Sequence, residues 1–160
     1  GSRRINTTAG AFELIAYRDR PSGSAHLALV RGAIDPEREV LVRVHEPLSV
    51  LDALDADLAT HSWPLPKALA RIAEAGSGVV VLLNCGESSD GLLARFESSV
   101  RADSGAEGGP RSARMDLRTY GVGAQILRDL NVRRMKLLAR PRKMPSMAGF
   151  GLHTTGFVET

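Results

Sequence analysis

The chain has 160 residues, of which 43% are hydrophobic and 24% charged, and its formal net charge is +3. This is the size of one domain with an ordinary core, and so small a charge does not by itself indicate nucleic-acid binding. A single cysteine, Cys85, excludes a disulfide framework and a cysteine cluster for zinc. Neither a membrane-spanning segment nor a signal peptide is recognisable, so we expect a cytoplasmic setting.

The first ten residues are interpreted as an addition in front of the domain. Gly1 and Ser2 look like a cloning scar, and residues 3–10 are expected to be a linker. The domain itself is expected to cover residues 11–160, and the chain would then be a fragment of a longer polypeptide.

The first half of the domain is predicted to be mostly strands. Apolar and β-branched residues predict strands at 11–17, 25–31 and 39–45, joined by short polar turns. Strands joined in this way favour an antiparallel meander. Residues 46–63 are harder to assign, and a short helix is favoured over a structured loop.

The second half alternates helices and strands. A helix is predicted from Pro64 to about Ala75, a central strand covered on both faces at 79–83, and a further helix at 91–102. A final strand is predicted at 153–158. The fold class is therefore mixed α/β (α+β), with a meander leading into a helix-covered mixed sheet.

Residues 115–143 have the pattern turn, helix, short turn, strand and basic loop. Asp116 and Thr119 suit a helix start, Asn131 suits a left-handed helix end, and a strand is predicted at 132–138. The loop that follows has three cations in five residues, at the carboxyl end of a strand, where phosphate groups often bind.

Positive charge is concentrated in this stretch. The cations that lie close together in sequence are Arg128, Arg133, Arg134, Lys136, Arg140, Arg142 and Lys143. A solvated basic face and a phosphate site explain this cluster equally well. No aromatic residues are interleaved for base stacking, which disfavours a nucleic-acid partner.

The same stretch, DLR-x-YGVGAQILRDL-x-V-x-x-x-x-LL followed by PRK, resembles the C-terminal signature of the GTP cyclohydrolase II family. The resemblance implies that family's fold and a homodimer. It also implies an enzyme that uses zinc to open the guanine ring of GTP, release formate and remove pyrophosphate in riboflavin synthesis.

The zinc ligands that the resemblance implies are not present. The family has three cysteines after its VRVH strand, and the corresponding positions here are Leu48, Ala59 and His61. Leucine and alanine cannot bind a metal, and one imidazole does not make a catalytic zinc site, so no metal is expected. A replacement site of His45, His61 and an aspartate is a less favoured alternative.

The loop after the central strand also departs from the family. Gly86 stands where the family has the carboxylate that recognises guanine, Glu87 lies one residue away, and both of the family's arginines are missing. Asp90 adds a negative charge near the expected triphosphate, and Ser99 replaces a family tyrosine.

Four side chains still match positions of the family's site. Asp116 and Arg118 match its catalytic pair and are interpreted as vestigial, while Arg142 and Lys143 are candidate phosphate-binding residues. The alternatives are that Asp116 caps the helix, that Arg118 pairs with a surface carboxylate, and that Lys143 is only solvated.

The sequence therefore predicts a domain that has the family's fold without its metal chemistry. By resemblance, it would be the C-terminal half of a bifunctional riboflavin-synthesis protein whose N-terminal half is 3,4-dihydroxy-2-butanone 4-phosphate synthase. It would stabilise, dimerise or regulate that neighbour. The alternatives are an enzyme or a sensor that binds another nucleotide or phosphorylated ligand in the basic pocket.

Overall fold

The computed structural model describes residues 1–46, 49–55, 62–105 and 117–160. The strands in these ranges are β1 (Ser2–Thr7), β2 (Gly10–Arg18), β3 (Ala25–Arg31), β4 (Glu39–His45), β5 (Gly78–Leu82), β6 (Arg134–Leu138) and β7 (His153–Val158). The α-helices are α1 (Val50–Leu54), α2 (Leu65–Ala75), α3 (Ser89–Asp103) and α4 (Leu117–Asp129). One turn of 3₁₀-helix, Ala148–Phe150, precedes β7.

The strands form one mixed sheet in the order β1-β2-β3-β5-β4-β6-β7. The pairs from β1 to β5 are antiparallel, and those from β5 to β7 are parallel. Parallel neighbours need crossover connections. The segment with α1 and α2 connects β4 to β5, the segment with α3 and α4 connects β5 to β6, and the segment with the 3₁₀ turn connects β6 to β7. The mixed α/β fold class predicted from the sequence is confirmed.

The strand β5 lies at the centre of this sheet, and all of its residues are buried. Its side chains alternate between two apolar clusters on opposite faces. Val79 and Val81 pack in the cluster that contains α4 residues, whereas Val80 and Leu82 pack with α2. The continuous apolar run at this position is therefore explained by a helix on each face.

Two glycine positions tie the end of α2 to the sheet. Gly76 ends the helix in the left-handed region, with φ of 84°. Gly32, after β3, has φ of 68°, and a Cβ atom there would lie 2.5 Å from the carbonyl oxygen of Gly76. Only glycine allows this close backbone approach.

The expectation that residues 3–10 form a linker does not agree with the local structure. Ser2–Thr7 are β1, which pairs with β2 through a tight turn at residues 8–9. Ile5 is partly buried against the α2-side cluster, so pairing with β2 and this contact order the segment. The proposed domain boundary at residue 11 stays a prediction.

The strands that form the meander also differ from the prediction. Strand β4 does not pair with β3, because β5 lies between them, and the antiparallel meander consists of β1, β2 and β3. The sequence shows that β3 and β4 are separated by a short turn but not which strand lies beside each. The most apolar strand takes the position where both of its faces can be covered.

The helix α3 confirms a predicted element but lies apart from the two clusters. Among its residues Leu93, Phe96 and Val100 are each more than half exposed, and no residue of the helix is buried.

No helix within the described ranges is long and apolar enough to cross a bilayer.

Shortening a side chain of β5 should destabilise the whole domain. Val81 is fully buried, so Val81→Ala is expected to lower the free energy of unfolding by about 2 to 3 kcal/mol through lost burial and a cavity. The measurement is urea unfolding followed by circular dichroism. The matched change Val100→Ala, at a side chain 51% exposed, should alter stability by less than about 0.5 kcal/mol. Equal effects of the two changes would contradict this assignment of the core.

Candidate functional site

Several chain segments meet at one edge of the sheet. The parallel strands β4, β5 and β6 end there, so Glu46 and the loops at 83–88 and 139–143 are neighbours along this edge. Because β3 is antiparallel to β5, it begins at the same edge, with Leu27 opposite Leu82. The first turn of α4 also reaches this edge. In sheets with parallel strands, binding residues are usually found at this edge.

The first predicted catalytic residue, Asp116, lies outside the described residues. The second, Arg118, is in the first turn of α4, and its Nη2 lies 3.3 Å from Oδ2 of Asp19 in the β2–β3 turn. The hydroxyl of Ser22 donates a hydrogen bond to the same carboxylate, and together with the Arg118 charge it lowers the pKa of Asp19. The interpretation of Arg118 as the partner of a surface carboxylate therefore agrees with this geometry.

The candidate phosphate-binding residues Arg142 and Lys143 are both exposed. Arg142 lies beside Arg43 of β4, which is only 6% exposed and donates from Nη1 to the carbonyl oxygen of Leu138 at 3.0 Å. Burial and the nearby Arg142 charge lower the pKa of Arg43 to about 10, so it is still charged at neutral pH. Both arginines line a mostly apolar cavity beside α4 and β6, which has about 30 Å³, or room for about one water molecule.

A polar network follows the end of β4. His45 is 1% exposed, and its Nε2 lies 3.4 Å from Oδ2 of Asp52. The same Asp52 oxygen accepts a hydrogen bond from the backbone N–H of Ser49 at 2.7 Å, which forms a capping box at the start of α1. This network therefore holds α1 against the carboxyl end of β4.

The carboxylate of Glu87 extends this network. Its Oε2 accepts a hydrogen bond from the hydroxyl of Ser49 at 2.8 Å, and its Oε1 lies 2.9 Å from Nε of Arg95 in α3. Both carboxylate oxygens of Glu87 are thus occupied by neighbours within the chain. Asp90 is exposed in the first turn of α3, where the positive end of the helix dipole favours a carboxylate.

The zinc that the resemblance to the family implies does not fit the side chains at the expected positions. Leu48, Ala59 and His61 lie outside the described residues, but leucine and alanine have no donor atom for a metal wherever they are placed. Within the described ranges, no three His, Cys, Asp or Glu side chains are close enough to hold a metal ion. The Cys85 thiol is also a poor ligand, because burial raises its pKa.

Sequence reasoning missed His26 on β3. This residue is 4% exposed, and its Nδ1 accepts a hydrogen bond from the backbone N–H of Asn84 at 3.0 Å. Asn84 itself has φ of 54°, a left-handed conformation that asparagine tolerates better than most residues. The only sequence signal was a histidine in an otherwise apolar strand, and it gave no indication of a partner 58 residues away.

The chain belongs to the GTP cyclohydrolase II family, whose sequence model matches residues 2–159. Its curated relatives include a 3,4-dihydroxy-2-butanone 4-phosphate synthase of Neisseria meningitidis serogroup A, 42% identical over 99% of this chain and 41% of the relative. Another is the riboflavin biosynthesis protein RibBA of Aquifex aeolicus, 36% identical over 94% of this chain and 39% of the relative. The chain thus spans about two fifths of the length of these relatives.

A solved structure has the same fold. It is RibBX, a two domain 3,4-dihydroxy-2-butanone 4-phosphate synthase from A. baumannii, with a TM-score of 0.64 and 32% sequence identity. The likeness covers 100% of this chain and 39% of that one. The family indicated by residues 115–143 is thereby confirmed for nearly the whole chain.

The environment of His26 predicts a loss of stability in acid. Burial lowers the pKa of His26 below its ordinary value of 6.5, and a proton on Nδ1 would break the hydrogen bond from Asn84. The unfolded chain therefore takes up this proton first as the pH falls, and stability decreases from about pH 6.5 downwards. In His26→Asn, the dependence of unfolding free energy on pH between 7 and 5 should be shallower.

The measurement is urea unfolding at several pH values. The control is His153→Asn, which changes an exposed histidine at the start of β7 and should leave the original pH dependence in place. If the His26→Asn variant loses stability in acid as steeply as the original chain, His26 is not the group responsible.

Proposed function

We propose that this GTP cyclohydrolase II-like domain does not carry out the cyclohydrolase reaction and instead supports a 3,4-dihydroxy-2-butanone 4-phosphate synthase domain. The observation that carries the proposal is the pair Leu48 and Ala59 at two of the three metal-ligand positions implied by the VRVH register. Without a bound metal, water is too weak a nucleophile to attack an aromatic ring at a useful rate.

The environment of the loop after β5 supports the same proposal. Gly86 has no side chain with which to recognise guanine, and Glu87 is bound by Ser49 and Arg95. For Glu87 to recognise a base it would first have to leave both partners. A site built for hydrogen bonds to guanine loses discrimination when that carboxylate is missing.

The identity of the supported domain rests on the relatives. Proteins from Neisseria and Pseudomonas that share this domain are named 3,4-dihydroxy-2-butanone 4-phosphate synthase, and so is the two-domain RibBX. About three fifths of each such relative lies outside the part matched here. We place the synthase domain in that part and propose a cytoplasmic homodimer of the two-domain protein.

A second candidate function is the binding of a phosphorylated ligand at the basic edge. It is favoured by Arg43 and Arg142, two cations side by side with no ion pair to a carboxylate within the described residues. The cavity that both arginines line has only about 30 Å³, so the loop at 139–143 would have to move for this cavity to admit a nucleotide. Saturable nucleotide binding that is lost on Lys143→Ala would support this alternative over a purely structural role.

The proposal predicts that the domain does not turn over GTP. The purified domain, incubated with GTP and zinc, should release no formate above the level of a reaction without protein, because Leu48 and Ala59 cannot hold the metal. Formate is measured with a coupled dehydrogenase, and an active GTP cyclohydrolase II in the same buffer is the positive control. Formate release that depends on zinc, together with one zinc per chain by elemental analysis, would contradict the proposal.

The proposal also predicts an effect of this domain on the synthase domain beside it. A two-domain protein that contains this chain should have a higher melting temperature or a higher kcat for synthase turnover than its synthase domain alone. Light scattering on both proteins tests whether the domain also contributes to dimer formation. Identical melting temperature, turnover and oligomeric state with and without the domain would remove the accessory role.

A further inference from the structure

The side chain of His26 has a buried hydrogen-bond donor with no acceptor. Its Nδ1 already accepts the Asn84 N–H, so the proton of the neutral ring is on Nε2. Nε2 is shielded from solvent and has no hydrogen-bond partner within the described residues. A buried donor without an acceptor is costly, and such donors are uncommon unless a ligand or water completes them.

His26 lines two hollows that share Asp19, His26 and Val122, between the β2–β3 turn and α4. The larger has about 420 Å³ and is lined also by Tyr17, Gln125 and other residues. The smaller has about 160 Å³ and extends to Ser24 and Arg118. Together they form one groove, here called the His26 groove. Its volume is that of a small-molecule site rather than of a single water.

The polar groups of the His26 groove are of two kinds. The acceptors are the carboxylates of Asp19 and Asp129, each of which has one oxygen fixed by a neighbour. Ser22 and Arg118 bind Asp19, and the hydroxyl of Tyr17 donates to Asp129 at 2.7 Å. The remaining lone pairs of both carboxylates suit the hydroxyl groups of a ligand.

The donors of the groove are positively charged or neutral. His26, which lines both hollows, has one neutral N–H at Nε2, and this atom is shielded from solvent. Arg18 and Arg20 line the larger hollow, and neither forms an ion pair in the described part of the chain. Guanidinium groups are well suited to phosphate oxygens, with which they form two parallel hydrogen bonds. A ligand that satisfies both kinds of group has several hydroxyls and a phosphate.

We propose that the His26 groove binds a sugar phosphate, with hydroxyls donating to Asp19 and Asp129 and the phosphate at Arg18 and Arg20. A ligand oxygen accepts from His26 Nε2 once the side chains that shield this atom move aside. No residue of the basic loop at 139–143 lines this groove, although its smaller hollow shares Thr119 with the cavity that Arg142 lines. This site requires neither a metal nor the accessory role, so failure of one proposal leaves the other standing.

The test uses the intact chain labelled with ¹⁵N and long-range ¹H–¹⁵N NMR of the histidine rings. Ribose 5-phosphate and glucose 6-phosphate are the probes, and ribose, glucose and inorganic phosphate are their parts. At least one sugar phosphate should shift the His26 Nε2 resonance saturably and bind at least about ten-fold more tightly than its parts. The three other histidines serve as internal references.

The variant His26→Asn separates binding from folding. Asparagine can still accept the Asn84 N–H through its side-chain oxygen but does not reach the Nε2 position, so sugar-phosphate affinity should fall about ten-fold while the circular dichroism spectrum is unchanged. His153→Asn is the matched control and should bind as the original chain does.

A second variant tests the groove independently of His26. Asp129→Asn keeps an acceptor for Tyr17 but removes the carboxylate charge, and it should also weaken binding of the sugar phosphate. The proposal is overturned if no sugar phosphate shifts His26, if the parts bind as tightly as the whole, or if both groove variants retain full affinity.

Discussion

The burial of β5 on both faces is the constraint on which the rest of the fold depends. Each of its side chains must be covered, so helices have to lie on both faces of the sheet, and α2 and α4 take these places. The strand also joins the antiparallel half of the sheet to the parallel half. The neighbouring strands β3 and β4 are in register with β5, so its position in the sheet sets the positions of the strand ends beside it.

This division between core and edge allows the fold to persist when side chains at the edge change. The packing of α2 and α4 on the sheet depends on apolar side chains, which include Leu82 at the end of β5. The polar side chains just beyond the ends of β4 and β5, Ser49 and Glu87, are not part of these clusters. Those ends carry instead a polar network in which Ser49 and Glu87 satisfy each other and Arg95 balances the charge. A fold retained with altered edge residues is the situation in which shared ancestry does not imply shared activity.

Local structure was predicted well from local sequence. The positions of β3 and β4, the start of α2 after Pro64 and the left-handed Asn131 follow from turn chemistry and side-chain periodicity, which act over a few residues. The prediction was wrong where the pairing of strands decides the structure. The segment before residue 11 becomes a strand because β2 is beside it, and β4 lies beside β5 because the crossover through α1 and α2 allows it.

The sequence by itself determined the family and most of the elements after residue 10. It also determines that positions 48 and 59 carry leucine and alanine, which cannot bind zinc in any fold. The tertiary structure decided which groups meet. Arg118 and Asp19 are separated by 99 residues, and His26 and Asn84 by 58. Such contacts depend on strand order, and strand order is set by the burial of whole faces, which no short stretch of sequence specifies.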